Sequence, residues 1–499
     1  MNAYRELEAV FRRLSLLRGV QSVLHWDMAV NMPDGGAEAR GEQLAALKLI
    51  NHEILTAPRV ADLLDEAGEG AGEGAGLDAW QRANLRGMRR RWLHARAVEP
   101  RLVEALTRAS IACEMAWRTA RPAGDFAAVV PHLEAIVALV RETAQARAAA
   151  LDVSPYEALL DQFEPGGRTA RIDALFADPA AFLPAFLERV LEHQARRPAT
   201  GAPAGPLPVE RQRALGVAMM EAIGFDFGGG RLDVSHHPFC SGIPEDIRIT
   251  TRYREDDFTS SLMGVLHETG HALYEKGLPA AWRNQPVGLS VGMAIHESQS
   301  LLIEMQACRS REFLAFAAPR MRAAFGGDGP EWAPDSLFRL YTRVERGFIR
   351  VDADEVTYPA HVILRYRLER ALLDGGLAVA DLPGAWDEGM AGLLGVVPPD
   401  HTLGCLQDIH WYSGSIGYFP TYTMGAMAAA QLFQAARRAV PEIPAAIARG
   451  DFAPLLGWLR AHVHGKGSLH ETDDLLAEAT GAPLGTAAFK AHLEARYLS

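Results

Sequence analysis

Residues 267–275 read HETGHALYE. Two histidines stand four apart, and a glutamate follows the first. Positions i and i+4 of an α-helix share a face, so His267 and His271 can aim their imidazoles at one ion. Glu268 is rotated off that axis but stays near it. A carboxylate there can hold and deprotonate an attacking water, the general-base role in zinc peptidases. Two helix-face histidines packed among polar neighbours have the same spacing, so the rest of the chain has to decide.

A zinc site of this type needs a third protein ligand. The stretch VGMAIHESQSLLIEMQ (291–306) reads as a second helix, and Glu297 falls within it, 26 residues after His271. A carboxylate in so apolar a helix needs a partner, which a metal would supply. Glu304 lies seven residues on, on nearly the same face, and is the rival ligand. Spacing leaves both open. Ser298, Gln299 and Ser300 are placed to hydrogen-bond the ligands.

Working outward, the chain has 499 residues, 48% hydrophobic and 22% charged, the balance of a folded globular protein. Lys plus Arg total 50 and Asp plus Glu total 62, so the formal charge is 50 − 62 = −12. That surface argues against sequence-independent nucleic-acid binding, which requires phosphate neutralisation. The four cysteines, Cys113, Cys240, Cys308 and Cys405, form no CxxC or disulfide framework and read as free thiols of a reducing cytoplasm. The opening MNAYRELEAVFRRLSLL carries charge throughout and reads as an amphipathic helix rather than a secretion signal. No apolar run approaches the length of a membrane span.

Helical periodicity dominates. DEAGEGAGEGAG (65–76), RRPATGAPAGPLP (196–208) and FGGDGPEWAPD (325–335) read as surface loops. None is a long interdomain linker, so residues 1–499 are expected to form a single domain. Strands are expected only before the HETGH helix, where RLDVS and DIRITTRY flank HHPFCSGIPE. In the second, Ile247, Ile249, Thr251 and Tyr253 alternate with Arg248, Thr250 and Arg252, placing both arginines on one face.

Amide hydrolysis also needs donors for the developing oxyanion. LGCLQDIHWYSGSIGYFPTYTMG (403–425) offers Gln407, Asp408, His410, Tyr418 and Tyr422. Removal of a C-terminal residue needs a fixed cation for the terminal carboxylate, and arginine pairs with carboxylates in bidentate fashion. Arg350, in GFIRVDADEVTYPAH, and Arg248 are the candidates. His236 and His237, ahead of a proline, read equally as ligands, turn residues or substrate contacts.

HHPF (236–239), DIRITT (246–251), HETGH (267–271), HESQS (296–300), IRVDAD (349–354) and GCLQDIHW (404–411) occur in that order. With VLHWDMAVNMPDGGAEARGEQLA (23–45) and SPYEALLDQFEPG (154–166), they make the chain resemble the thermostable metallocarboxypeptidases typified by carboxypeptidase Taq, over nearly its whole length. The resemblance implies a mainly α fold: a large helical body with a deep active-site groove, a small β-sheet beside the HETGH helix, and similarity to neurolysin and angiotensin-converting enzyme. It implies a lid-like N-terminal region of about residues 1–110. It implies release of single C-terminal amino acids from peptides with broad specificity, by attack of zinc-activated water. It assigns one metal per chain to His267, His271 and Glu297, with Glu268 as base. Arg350 and possibly Arg248 would meet the carboxylate, and His237 lies in a segment that would close one end of the groove. His410 with Tyr418 or Tyr422 would donate to the oxyanion. It implies a homodimer. Zn²⁺ suits the ligand set, and Co²⁺ or Mn²⁺ can occupy it. The alternative is an oligopeptidase or dipeptidyl carboxypeptidase of the same clan. A helical binding protein with a structural or vestigial metal site is the reading from another class.

Overall fold

The structure, a computed structural model, describes residues 3–69, 76–197, 201–203 and 205–499. Helices carry most of these residues, and one three-stranded sheet interrupts them. Tertiary contacts divide the chain into two compact units, each assembled from three separate stretches. The first comprises Met1–Ala95, Ala199–Thr342 and Ala428–Leu484; the second Arg96–Pro198, Arg343–Met427 and Gly485–Ser499.

In the first unit, the helices Ala3–Val30, Pro58–Glu69 and Ala79–Arg96 close over a small core of their own. It is built from Tyr4, Leu7, Phe11, Leu63, Leu64 and Met88 among others. The expected loop at 65–76 is corrected in part: residues 65–69 finish a helix, because Leu63, Leu64 and Ala67 give that turn a face to bury. Residues 70–75 lie outside the described residues, as do 198–200 and 204 of the expected loop at 196–208.

The sheet consists of β1 (Gly230–Val234), β2 (Phe239–Ile243) and β3 (Asp246–Thr251), in the order β1-β3-β2. β1 runs parallel to β3 with Arg231 opposite Arg248, and β2 runs antiparallel with Cys240 opposite Ile249. The stretch read as a connection, HHPFCSGIPE, thus supplies the second edge strand. Alternation of burial holds over residues 246–249 of β3 and then stops: Thr250, expected on the arginine face, is as buried as Thr251, its Oγ1 accepting from Ser235 Oγ. Ile247 and Ile249 point into a core with Leu232, Met220, Phe225, Val265 and Ala272. Arg248 points the other way, over the indole of Trp26 at 4.2 Å, and Arg231 sits at 4.7 Å from the same ring. Arg252 is a second exception. The strand ends at Thr251, and Arg252 is exposed beyond it.

Val265 and Ala272 belong to the helix Thr259–Gly277, so the sheet is the floor on which the HETGH helix rests. Asp257 starts that helix by accepting from Thr259 N at 2.8 Å and Thr259 Oγ1 at 2.6 Å. On its other side it packs against Met293–Leu301 at backbone contact. A Cβ on Gly270 would stand 2.5 Å from Gln299 O and 2.6 Å from Ser300 Cα. Only glycine admits that approach.

In the second unit the SPYE segment is a capping box: Ser154 accepts from Glu157 N while Glu157 accepts from Ser154 N. Buried Glu369 accepts from Tyr156 Oη and from Trp411 Nε1, tying that segment to GCLQDIHW. Buried Glu355 accepts from Arg496 Nη1 at 3.2 Å and Tyr497 Oη at 3.1 Å, and contacts His492 Nε2 at 2.8 Å. These bonds anchor the helix Ala487–Tyr497.

Two glycines of one helix separate packing from propensity. Gly264→Ala meets nothing nearer than 3.9 Å, so it is expected to stabilise by roughly 0.5–1 kcal/mol through helix propensity. Gly270→Ala forces two backbones apart and is expected to destabilise by about 1–3 kcal/mol. Urea midpoints of the two variants check the contrast; equal midpoints would refute it.

Candidate metal centre and active site

The close packing at Gly270 brings His267, His271 and Glu297 together, with their ligand atoms all within 4.8 Å of one another. Glu297 places Oε2 3.5 Å from His271 Nε2 and Oε1 3.9 Å from His267 Nε2. Tetrahedral zinc with bonds of about 2.0–2.1 Å sets its donors about 3.3 Å apart, so a modest contraction closes the triad on an ion.

The tautomers fit as well. His271 Nδ1 lies 3.0 Å from the carbonyl oxygen of His296, which only accepts, so Nδ1 carries the proton and Nε2 keeps its lone pair. His267 Nδ1 donates in the same way to Glu304 Oε2 at 2.9 Å. Both rings therefore turn Nε2 to the side of Glu297, where the neutral form of each would offer a lone pair to an ion. Among the described residues the group is these three. Three protein ligands leave a tetrahedral ion one position for water or substrate, as in catalytic rather than closed structural sites.

The charges point the same way. Burial disfavours a charged His267, but the hydrogen bond to Glu304 and the carboxylates of Glu297, Glu268 and Glu304 outweigh it and push its pKa up to about 10. A divalent cation answers the same carboxylates without a proton. Burial, together with His296 and His267, holds His271 well below the usual histidine range, in the neutral form a ligand needs. Burial also raises Glu268 to about 7; His267 opposes and Glu297 adds to the shift. A general base works best poised near that value.

Glu304 is thus not alongside Glu297 but behind His267. Burial alone would raise its pKa, yet Arg309 and His267 hold it below the usual carboxylate range. Arg309 Nη2 donates to its Oε1 at 2.5 Å. Ser298 and Ser300 bond carbonyl oxygens three residues back, and Gln299 bonds His464 and Ser298. His296 contacts Glu275 Oε1 at 2.9 Å through Nε2, a pair the spacing of the motifs did not reveal.

Arg248 donates from Nε and Nη2 to Asp246, two residues back. His236 and His237 are exposed in the turn between β1 and β2, where His237 O accepts from Ser235 Oγ at 2.5 Å.

The second unit gathers Arg350, Asp408, His410, Tyr418 and Tyr422. Gln407 aligns two segments there: its Oε1 accepts from Arg350 N, and its Nε2 donates to Phe348 O. Asp354 of IRVDAD serves as a cap, accepting from Val356 N and Thr357 N. Arg350 is buried and donates from Nε and Nη2 to Asp408 Oδ1 at 3.1 and 2.7 Å. Arg365, which sequence reasoning missed, donates to Asp408 Oδ2 at 2.6 Å and has no exposed surface. Its only signal was a charged residue inside the apolar helix HVILRYRLE. The Arg350 guanidinium stands 4.9 Å from the Tyr422 ring centre. Tyr422 Oη lies 3.4 Å from His410 Nε2, and Tyr418 packs edge-on against Tyr422 at 5.0 Å.

One carboxylate faces two guanidinium groups, so positive charge is in excess. Burial opposes protonation of His410, Asp408 favours it, and Arg350 and Arg365 disfavour it; the balance lowers His410 to about 4. Burial with Arg365 and Arg350 lowers His361 to about 3. Between pH 6.5 and these values the unfolded chain binds protons that the folded chain refuses. The stability contributed by the two neutral imidazoles is complete above about 6.5 and is lost as pH falls towards 4. For His361 the loss by pH 4.5 is on the order of 2 kcal/mol. Chelated wild type and His361→Phe, unfolded in urea at a series of pH values, should show a shallower acid slope in the variant. Parallel slopes would refute the assignment.

The profile of the family described as carboxypeptidase Taq (M32) metallopeptidase matches residues 6–497. Thermostable carboxypeptidase 1 of Thermus thermophilus is 39% identical, over 99% of this chain and 98% of its own. Carboxypeptidase 1 of Bacillus subtilis is 32% identical, over 99% and 97%. Among solved structures, Trypanosoma cruzi metallocarboxypeptidase 1 superposes with a TM-score of 0.97 at 42% identity, covering 100% of this chain and 99% of that one. The Pyrococcus furiosus carboxypeptidase gives 0.94 at 32% identity, covering 100% and 99%. With its whole length matched in sequence and in fold, the chain belongs to the carboxypeptidase Taq (M32) family of metallopeptidases.

Proposed function

We propose that the chain is a zinc carboxypeptidase that releases single amino acids from the free C-terminus of peptides, with broad side-chain preference. The observation that carries this is the three-donor site of His267, His271 and Glu297 with the buried carboxyl of Glu268 beside it. Family membership supplies the reaction class, a metal-dependent carboxypeptidase. Co²⁺ or Mn²⁺ fits the same donors.

When bound, the ion supplies Lewis-acid polarisation of the scissile carbonyl and acidifies water. Glu268 takes a proton from the attacking water and passes it to the leaving amine. With each Nδ1–H committed to an acceptor, both histidines present Nε2 to the ion; His271 is already neutral, and at His267 the proton that the neighbouring carboxylates otherwise hold would give place to the ion. Arg350 is the better supported reader of the terminal carboxylate. Its cluster carries surplus positive charge, whereas Arg248 is answered by Asp246 in bidentate fashion. Tyr422, held beside Arg350 and His410, is the favoured donor to the oxyanion, with His410 and Tyr418 positioning it. His237 is kept as a substrate contact on the strength of the family likeness alone.

The same likeness supports the remaining expectations: one metal per chain, a homodimer, a cytoplasmic setting, a single catalytic domain with a lid at about residues 1–110, and a deep groove similar to that of neurolysin and angiotensin-converting enzyme. Among the described residues no helix is long and apolar enough to cross a membrane.

A mass-spectrometric time course on one peptide, as free acid and as C-terminal amide, tests the proposal. A one-residue ladder from the free acid alone, silenced by chelator, is expected. Cuts two residues at a time, or equal cleavage of the amide, would move the protein to the oligopeptidase alternative. Glu268→Gln is expected to retain one metal per chain while turnover falls at least about 10²-fold; undiminished turnover would remove Glu268 as base.

A further inference from the structure

The segment Leu302–Cys308, directly after the helix that carries Glu297, is a π-helix. π-turns are rare, and they recur at functional sites because the extra residue redirects side chains. Here Glu304 is turned to the far side of His267. Its Oε2 accepts from His267 Nδ1 at 2.9 Å and its Oε1 accepts from Arg309 Nη2 at 2.5 Å. The side chains of Glu304 and Arg309 keep 9% and 15% of their exposure, so water competes weakly for these bonds. Arg309 is held from behind by Tyr341 O, which accepts from Nη1 at 3.4 Å.

We infer that Glu304 and Arg309 form a positioning pair for the metal ligand His267. Glu304 fixes the imidazole's tautomer and plane and adds negative charge to it. Arg309 fixes Glu304 in the rotamer that reaches His267 and prevents that carboxylate from becoming a fourth ligand. A hydrogen-bonded carboxylate behind a ligating histidine raises its basicity, and loss of such a partner weakens metal binding 10–100-fold. Glu275, with His296, lies behind His271 instead and has no contact of this kind with His267. The two histidines are thus supported differently: His271 by a neutral carbonyl, His267 by a charged carboxylate with its own counter-ion. The inference rests on the reading of His267 as a ligand.

Competition between the full-length protein and a chromophoric chelator, with Zn²⁺ as probe, measures the dissociation constant directly. Glu304→Gln keeps an acceptor for Nδ1–H but loses the charge; it is expected to weaken Zn²⁺ binding about tenfold, and Glu304→Ala up to about a hundredfold. Arg309→Lys keeps the charge but loses the guanidinium fork; it is expected to fall between wild type and Glu304→Gln, and it covers the case in which the glutamate variants fail to fold. X-ray absorption should find the same number of protein ligands in wild type and Glu304→Gln. Zn²⁺ affinity within twofold of wild type in folded Glu304→Gln and Arg309→Lys would overturn the inference. So would loss of a carboxylate oxygen from the metal's coordination in Glu304→Gln, which would make Glu304 itself a ligand. Wild-type Zn²⁺ affinity in His267→Ala would instead bring down the ligand reading beneath it.

Discussion

The site depends on two helix backbones touching. The seam follows one face of the helix Thr259–Gly277, where Gly270 and Gly277 stand seven residues apart. Gly270 admits the backbone at Gln299 and Ser300, and a Cβ on Gly277 would stand 2.5 Å from His464 Nδ1. His464 in turn meets Gln299 Oε1 at 3.0 Å, closing the contact from below. Any side chain on this seam would lengthen the reach from His267 and His271 to Glu297. It would also draw His271 away from the carbonyl that sets its tautomer. In HETGH the glycine is therefore as necessary as the histidines, although it carries no chemistry.

Each unit carries a buried charge cluster, and the two are of opposite sign. Around His267 stand three carboxylates, Glu268, Glu297 and Glu304, with Arg309 bonded to the last, a charge balance that would suit a divalent cation. Around Asp408, two guanidinium groups share one carboxylate, and the surplus suits an anion. Unpaired charge away from water costs several kcal/mol. Under the proposed function a divalent ion would answer the first cluster and a terminal carboxylate the second. The neutral His410 beside the second cluster follows from the same surplus, since adding a proton there would add to it.

The sequence disclosed what periodicity governs. The helical period placed His267 and His271 on one face, the period of two sent Ile247 and Ile249 inward, and ordered motifs identified the family. It left undetermined what seven residues of a helix cannot separate. Glu297 and Glu304 lie only about 20° apart on an ideal α-helix, and the π-turn that parts them has no signature in VGMAIHESQSLLIEMQ. Arg365 was hidden because a buried arginine is recognised by its partner, and Asp408 lies 43 residues away. The Cys-Ser-Gly centre of β2 has little strand propensity, and pairing with β3 overrides that. Arg252 misled because alternation continues on paper after the hydrogen-bond ladder has stopped.

The interleaving of the chain has a consequence for its biosynthesis. Each unit is assembled from three stretches, and the second is closed by the last fifteen residues, whose helix is bonded to buried Glu355. A nascent chain leaving the ribosome N-terminus first cannot finish the first unit before residues 428–484 have emerged, nor the second before residues 485–499. The N-terminal helices, with a core of their own, can condense early, while the stretch from Arg96 onward must wait for partners several hundred residues downstream. Such non-local closure is slow and leaves apolar helix faces uncovered in the interim. Loss of the helix Ala487–Tyr497 would therefore strike at the assembly of a unit whose first helices were made long before.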